Sequence, residues 1–407
     1  MTIETFPARH VANRLSRRGQ PYGPAEASVL DRTAAARAGA EIMSWPGYRP
    51  TPLVSLPGLA GALGVGSVLY KDEGQRFGLT SFKALGGAYA VLRFLQKHLE
   101  EQGISASAAD LLAGAHRDKT AGAVVTTATD GNHGRSVAWG ARMFGCRAVV
   151  FIHENVSHER EQAIAAFGAE MRRVPGGYDD SVRAAAQAAE TEGWILVADT
   201  SSEGGDEAPR LVMQGYMLIG SEILDSCGPA PTHLFVQAGV GGLAAALAAF
   251  FWESLGALRP RVVVVEPILA DCIFRAAQAG RVVAMEGPTD TFMACLAAGE
   301  ASPLAWTILE GGMDDVLALP DEAAMAAMRL LADGVAGDPA LVAGESGAAA
   351  VAGLIAAAND PALRRALDLG LEARIVVIGS EGATDPATYE RVTGRSAEAV
   401  AAFGPAA

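Results

Sequence analysis

Short apolar runs alternate with longer amphipathic stretches along most of this chain. Ser67–Lys71, Ala123–Thr127 and Arg147–His153 are compact and mostly apolar, a pattern that predicts strands, and Met171–Val174 and Trp194–Ala198 read as two more. Between them the spacing of apolar positions predicts helices over Phe82–Leu99, Asn132–Phe144, His158–Phe167 and Asp179–Glu192. A second series follows: helix Leu211–Leu224, strand Leu234–Gln237, helix Leu243–Leu255, strand Val262–Val265 and, near the end, strand Arg374–Ile378. Ahead of both series one helix is expected over Ala25–Met43. The prolines of Pro46-Gly-Tyr-Arg-Pro-Thr-Pro-Leu53 then impose an extended path. Strands that are apolar on both faces and alternate with helices imply largely parallel sheets covered by helices, an α/β fold.

Composition narrows the class. A chain of 407 residues is long enough for two or three domains. Half of it is hydrophobic and only 6% is aromatic, which favours close-packed, alanine-rich helices. Acids outnumber bases 46 to 32 and no basic run stands out, so a nucleic-acid partner is not expected. The four cysteines, Cys146, Cys227, Cys272 and Cys295, form no Cys-x-x-Cys pair, so neither a zinc site nor a disulfide framework is expected, and no metal is assigned. No signal-peptide pattern opens the chain and no apolar run reaches spanning length, so a cytoplasmic protein without membrane attachment is expected.

Chemistry is sought where strands meet helices, because open α/β sheets gather ligands at the carboxyl ends of their strands. Arg76-Phe-Gly-Leu-Thr-Ser-Phe-Lys-Ala-Leu-Gly-Gly87 places Lys83 in the first turn of a helix, flanked by Phe82 and Leu85. Apolar neighbours and a helix N-terminus disfavour the charged amine, and a neutral amine is what addition to a carbonyl needs. The plainer alternative is a solvated surface lysine. Thr127-Ala-Thr-Asp-Gly-Asn-His-Gly-Arg135 follows an apolar strand and crowds Thr129, Asp130, Asn132 and His133 into one turn. Here the plainer alternative is a helix cap from Asp130 or Asn132.

Gln237-Ala-Gly-Val-Gly-Gly-Leu243 suits a phosphate cradled by backbone N–H groups. Gly239, Gly241 and Ala244 also fit the loose dinucleotide fingerprint, with Glu266 on the next strand as a ribose-binding acid. This turn alone therefore leaves a pyridoxal phosphate (PLP) enzyme and an NAD-dependent oxidoreductase both open. Gly379-Ser-Glu-Gly-Ala-Thr-Asp385 is a fourth turn, whose plainer alternative is an ordinary αβ connection.

Together these segments resemble the fold-type-II PLP enzymes, the superfamily of tryptophan synthase β and threonine dehydratase, and within it the diaminopropionate ammonia-lyases. Further matching stretches are Val265-Glu-Pro267, Met293-Ala-Cys-Leu-Ala297, Gly344-Glu-Ser-Gly-Ala348 and Ser380-Glu-Gly-x-Thr-Asp385, and the likeness runs from about residue 45 to 386. It implies PLP bound covalently to Lys83, its 3'-oxygen bonded by Asn132, its phosphate held by Gly239, Val240, Gly241 and Gly242, and its pyridine nitrogen facing Ser380. It implies Asp130 as a second base and Asp199 as an acid near the substrate's amino groups.

The implied fold has two domains, each with a largely parallel sheet covered by helices. Residues 1–88 and 203–407 would form the larger, PLP-binding one, and 89–202 a smaller inserted one that closes over the site. The implied protein is a homodimer acting on a small amino acid. Its reaction is β-elimination from 2,3-diaminopropionate, giving pyruvate and ammonia.

One segment departs from the resembled pattern. Where the ammonia-lyases read Ala-Trp-Glu-Gly-Tyr after the Asp-Thr pair, this chain reads Ser201-Ser202-Glu203-Gly204-Gly205. Two aromatic side chains are absent, which opens the substrate to alternatives such as a β-hydroxy amino acid taken by a dehydratase.

Overall fold

A computed structural model describes residues 3–129, 131–201 and 205–403. The described residues form strands β1 (Arg9–Ala12), β2 (Leu53–Ser55), β3 (Ser67–Asp72), β4 (Val124–Ala128), β5 (Arg147–His153), β6 (Glu170–Val174), β7 (Ile195–Leu196), β8 (His233–Gln237), β9 (Arg261–Pro267), β10 (Asp315–Leu319) and β11 (Arg374–Gly379). The chain divides into two compact units. One comprises Met1–Asp31, Pro50–Ser81 and Ile219–Ala407, the other Arg32–Arg49 and Phe82–Leu218. The fold is α/β, as the pattern predicts.

In the first unit a seven-stranded sheet runs β1-β10-β9-β8-β11-β3-β2. The five inner strands are parallel, and β1 and β2 close the edges antiparallel. The inner strands β8 and β10 are buried along their whole length, as parallel strands covered on both faces must be. Val68 and Tyr70, Val263 and Val265, Leu317 and Leu319, Ile375 and Val377 recur at the two-residue period of one sheet face. They share a core with the helices Asp321–Asp333 and Ala349–Asn359. The intervening Val262, Val264 and Val376 are equally buried. Order reverses at β8: the chain passes from β8 to β9 on one side, while β11 lies on the other. The loops leaving β8 and β11 therefore start side by side, at a topological switch point.

A second feature of this unit is a buried knot of charge. Lys71 Nζ donates to Glu222 Oε2 at 2.5 Å and to the Thr51 carbonyl at 2.8 Å. Arg76 donates to both oxygens of Glu222 (2.7 and 2.8 Å) and to both oxygens of Glu73 (2.9 and 2.8 Å). Two cations meet two anions, and all four side chains are buried. Burial opposes the charge on Glu222, but Arg76 and Lys71 outweigh it and hold its carboxyl below the usual range.

The second unit is built on a four-stranded, all-parallel sheet, β6-β5-β4-β7. Val124, Ala128, Val149 and Phe151 pack with Ala185 of the helix Tyr178–Glu192 on one face. Val150 and Ile152 pack with Ala138 and Ile164, from the helices Asn132–Phe144 and His158–Ala165, on the other. This sheet reverses at β4, with β5 on one side and β7 on the other.

One expected element divides. The helix anticipated over Ala25–Met43 is two helices, Pro24–Val29 and Arg32–Met43, because Leu30 turns to extended backbone. Its side chain is buried and its carbonyl accepts from the Tyr22 hydroxyl at 2.8 Å. Among the described residues no helix is long and apolar enough to cross a membrane.

Candidate active site

In the second unit the residues of interest gather at the carboxyl ends of β4 and β7. Lys83 is the first residue of the helix Lys83–Glu100. Its Nζ lies 2.5 Å from Asp199 Oδ2, just beyond β7, and both side chains keep about a fifth of their surface exposed (19% and 17%). Phe82 supplies the expected apolar neighbour, with its ring centre 5.6 Å from the amine. The carboxylate partner lies 116 residues away in sequence, beyond any local inspection.

The Leu-Gly-Gly that follows Lys83 is explained by close approach. A β-carbon on Gly86 would meet the Tyr216 ring at 2.5 Å, and one on Gly87 would meet Ser136 Oγ at 2.6 Å. That Ser136 hydroxyl accepts from the Ala88 amide at 3.0 Å, pinning the helix one turn beyond Lys83. Tyr216 stacks edge-on against Phe82, ring centres 4.7 Å apart. Burial lifts the Tyr216 hydroxyl well above its ordinary value, partly offset by Lys83. Sequence reasoning missed Tyr216, since it sits among apolar helix positions and looks like core.

The turn after β4 is capped by Thr129. Its Oγ1 accepts from the amides of Gly131 and Gly134, each at 3.0 Å. A β-carbon on Gly134 would overlap the Thr129 methyl. A cap for this helix start therefore comes from Thr129. Asn132 opens the helix Asn132–Phe144 and is half-buried, while Asp130 lies outside the described residues.

His133 is buried, and its Nε2 donates to the Val197 carbonyl at 2.8 Å, which ties the loop after β4 to the loop after β7. A carbonyl only accepts, so the neutral ring carries its proton on Nε2 and leaves Nδ1 as an acceptor, 3.9 Å from Asp199. Burial holds His133 below its ordinary value despite Asp199. Burial would raise the Asp199 carboxyl, but the charge of Lys83 and the hydrogen bond from it outweigh burial, and the carboxyl lies well below the carboxylate range.

In the first unit the corresponding loops leave β8 and β11. The Gly239 carbonyl accepts from Cys272 Sγ (3.5 Å) and the Val240 carbonyl from the Ser302 amide (2.9 Å). Gly241 adopts a left-handed φ of 98°, where a β-carbon would also meet Leu309 at 2.9 Å. Gly242 begins the helix Gly242–Leu255, whose first amides have no intrahelical acceptor. Two of the turn's carbonyls are thus turned into the protein and the first amides of the helix follow the turn, a donor set that fits a phosphate. Ser380, after β11, is buried, and its Oγ accepts from Gln237 Nε2 at 2.6 Å. Sequence reasoning gave Gln237 no role.

Glu266 does not serve a ribose. It is fully buried and accepts from the amides of Ile273 (2.9 Å) and Phe274 (2.8 Å), so it caps the helix Cys272–Ala279. Burial pushes its carboxyl up to about 8. The dinucleotide alternative loses its acid.

A family model described as pyridoxal-phosphate dependent enzyme matches residues 44–381. The chain belongs to that family. This PLP-dependent enzyme is 38% identical over 365 residues to the diaminopropionate ammonia-lyase of Escherichia coli K12, across 87% of this chain and 90% of that one. Two crystal structures of the Escherichia coli ammonia-lyase superpose on it. The complex with an aminoacrylate–PLP azomethine reaction intermediate does so with a TM-score of 0.85, at 34% identity, over 96% of this chain and 98% of that one. The complex with D-serine gives 0.86, at 34% identity, over 98% and 100%. The PLP enzyme's fold is therefore that of the fold-type-II group.

Proposed function

We propose that this enzyme eliminates the β-amino group of 2,3-diaminopropionate, in the D form, the L form or both, so that diaminopropionate and water yield pyruvate and two ammonia. The observation that carries the proposal is the Lys83–Asp199 pair at the strand ends, in a chain 38% identical to a diaminopropionate ammonia-lyase. Lys83 is assigned the bond to PLP and Asn132 the contact to the cofactor's 3'-oxygen. The backbone of Gly239, Val240, Gly241 and Gly242 takes its phosphate, and Ser380 its pyridine nitrogen. Bound there, PLP supplies the electron sink that lets the substrate's α-hydrogen leave as a proton.

Lys83 would take that proton on one face, and Asp130 is assigned the other face. Asp199 stays ionised, so it accepts hydrogen bonds from the substrate's second ammonium group, the feature that separates a diamino acid from serine. A serine hydroxyl does not protonate the pyridine ring as a carboxylate would. Ser380 would therefore offer the ring a hydrogen bond rather than a proton, an arrangement that would suit departure of the β-group. The family resemblance further supports a cytoplasmic homodimer, which sedimentation of the purified protein tests.

A second substrate class, the β-hydroxy amino acids, is favoured by Gly205. It is exposed at a left-handed φ of 95° with nothing within 4 Å of where a β-carbon would stand, so no aromatic wall occupies that position. Ser202 lies outside the described residues. Pyruvate and ammonia release from D- and L-diaminopropionate, serine, threonine and 3-hydroxyaspartate tests both. The highest kcat/KM on diaminopropionate supports the proposal, and turnover confined to the hydroxy acids overturns it. Lys83→Ala should retain no PLP covalently after borohydride reduction.

A further inference from the structure

Gln237 is positioned by acceptors that leave its amide one orientation. Its Nε2 donates to the Ser346 carbonyl at 3.0 Å and to Ser380 Oγ at 2.6 Å. Ser346 is itself pinned: its amide donates to Glu381 Oε1 (3.1 Å) and its hydroxyl oxygen accepts from the Cys295 amide (3.1 Å). Rotating the Gln237 amide by half a turn would set its oxygen against a carbonyl oxygen, a repulsive contact in a site where all three side chains are buried. The amide oxygen has no hydrogen-bond partner among the described residues, so Gln237 acts here through its N–H groups alone.

The consequence falls on Ser380. A hydroxyl has one proton and two lone pairs. Gln237 occupies one lone pair with an N–H and has no free acceptor turned towards the hydroxyl, so the Ser380 proton must be directed elsewhere. We propose that Gln237 is a positioning residue that fixes Ser380 as a hydrogen-bond donor, so that it meets the cofactor's pyridine nitrogen with its proton and keeps that nitrogen an unprotonated acceptor. This rests on the assignment of Ser380 to the pyridine nitrogen made above. It adds that the polarity of the contact is dictated from a neighbouring strand, through the Gln237–Ser380 hydrogen bond.

The test uses the holoenzyme reconstituted with PLP carrying 15N in the ring, read by the nitrogen chemical shift and by PLP affinity. Gln237→Met keeps the length and removes the donor. Gln237→Glu replaces the donor with an acceptor that draws the serine proton to itself. Both should move the ring-nitrogen resonance from its parent position in the same direction as Ser380→Ala, and weaken PLP binding about five- to tenfold, the worth of one hydrogen bond. Because Gln237 acts through Ser380, Gln237→Met combined with Ser380→Ala should be no worse than Ser380→Ala alone, whereas two independent packing defects would add. A resonance unmoved in both Gln237 variants, while Ser380→Ala moves it, overturns the inference and leaves the cofactor assignment standing. A resonance unmoved by Ser380→Ala in a protein that binds PLP overturns the assignment of Ser380, and the inference with it.

Discussion

Lys83 Nζ and Asp199 Oδ2 stand 2.5 Å apart, joining the start of one helix to the loop after β7 across 116 residues of sequence. Asp199→Asn preserves size and hydrogen bonding and removes the charge. Turnover of diaminopropionate should fall by about 10²- to 10⁴-fold while PLP stays bound, as read by visible absorption and steady-state kinetics. The pair also has a pH signature. The folded carboxyl lies below its unfolded value, so its contribution to stability is complete above the unfolded range and is lost as pH falls towards the folded one. In the PLP-free protein, the thermal stability gap between parent and Asp199→Asn should be widest near neutrality and close progressively below about pH 4.

Thr129 already caps the helix Asn132–Phe144, so that helix does not need Asp130 for its start. Asp130→Asn should therefore leave the melting temperature nearly unchanged. If Asp130 is the base for the second face of the substrate, D-diaminopropionate turnover falls by orders of magnitude and the L-isomer is largely spared. Equal losses on both isomers, or none on either, contradict the assignment.

Gly241→Asp should abolish useful PLP affinity. It places a side chain in a left-handed conformation, drives a β-carbon to 2.9 Å from Leu309 and sets a like charge where the phosphate is proposed to bind. Backbone strain of this kind alone costs about 1–3 kcal/mol, so a rise of at least about a hundredfold in Kd is expected once repulsion is added. Equilibrium dialysis against PLP, with circular dichroism as the check on folding, measures it.

Glu222→Gln leaves Lys71 and Arg76 buried with one negative charge too few. Breaking a buried pair in this way typically costs about 3–5 kcal/mol. Urea denaturation should show that loss as a lower midpoint with an unchanged slope. Lys71→Met together with Glu222→Gln removes one charge of each sign and should cost less than Glu222→Gln alone.

Local order was legible wherever pattern and punctuation agreed. The helix Asn132–Phe144 and the strand Arg147–His153 have the predicted bounds, because a glycine-rich turn opens the first and a glycine ends it just before the apolar run. The short edge strands β1 and β2 were not legible, since each is half-exposed and shows no apolar run. β10 escaped too: it opens on a buried acid, Asp315, whose partners Arg261 and His10 come from neighbouring strands. Trp194–Ala198 pairs with β4 over Ile195–Leu196, with the Val197 amide donating to the Thr126 carbonyl at 2.8 Å just beyond. The glycine turns and Lys83 announced themselves as chemistry. The contacts that orient them, Asp199 to Lys83, Val197 to His133 and Gln237 to Ser380, span 64 to 143 residues and have no local signal.

The reversal of strand order at β4 and at β8 has an evolutionary consequence. In each sheet the loops beyond the strand ends carry the residues proposed for chemistry, so the residues that make the fold and those proposed to choose the substrate are different residues. Gly205, beyond β7, is exposed, and nothing lies within 4 Å of where its β-carbon would stand. Space for a side chain is open there, and the left-handed φ of 95° is what restricts it. A change of diet in this lineage would then be recorded in a handful of loop codons, with the sheets left as they were.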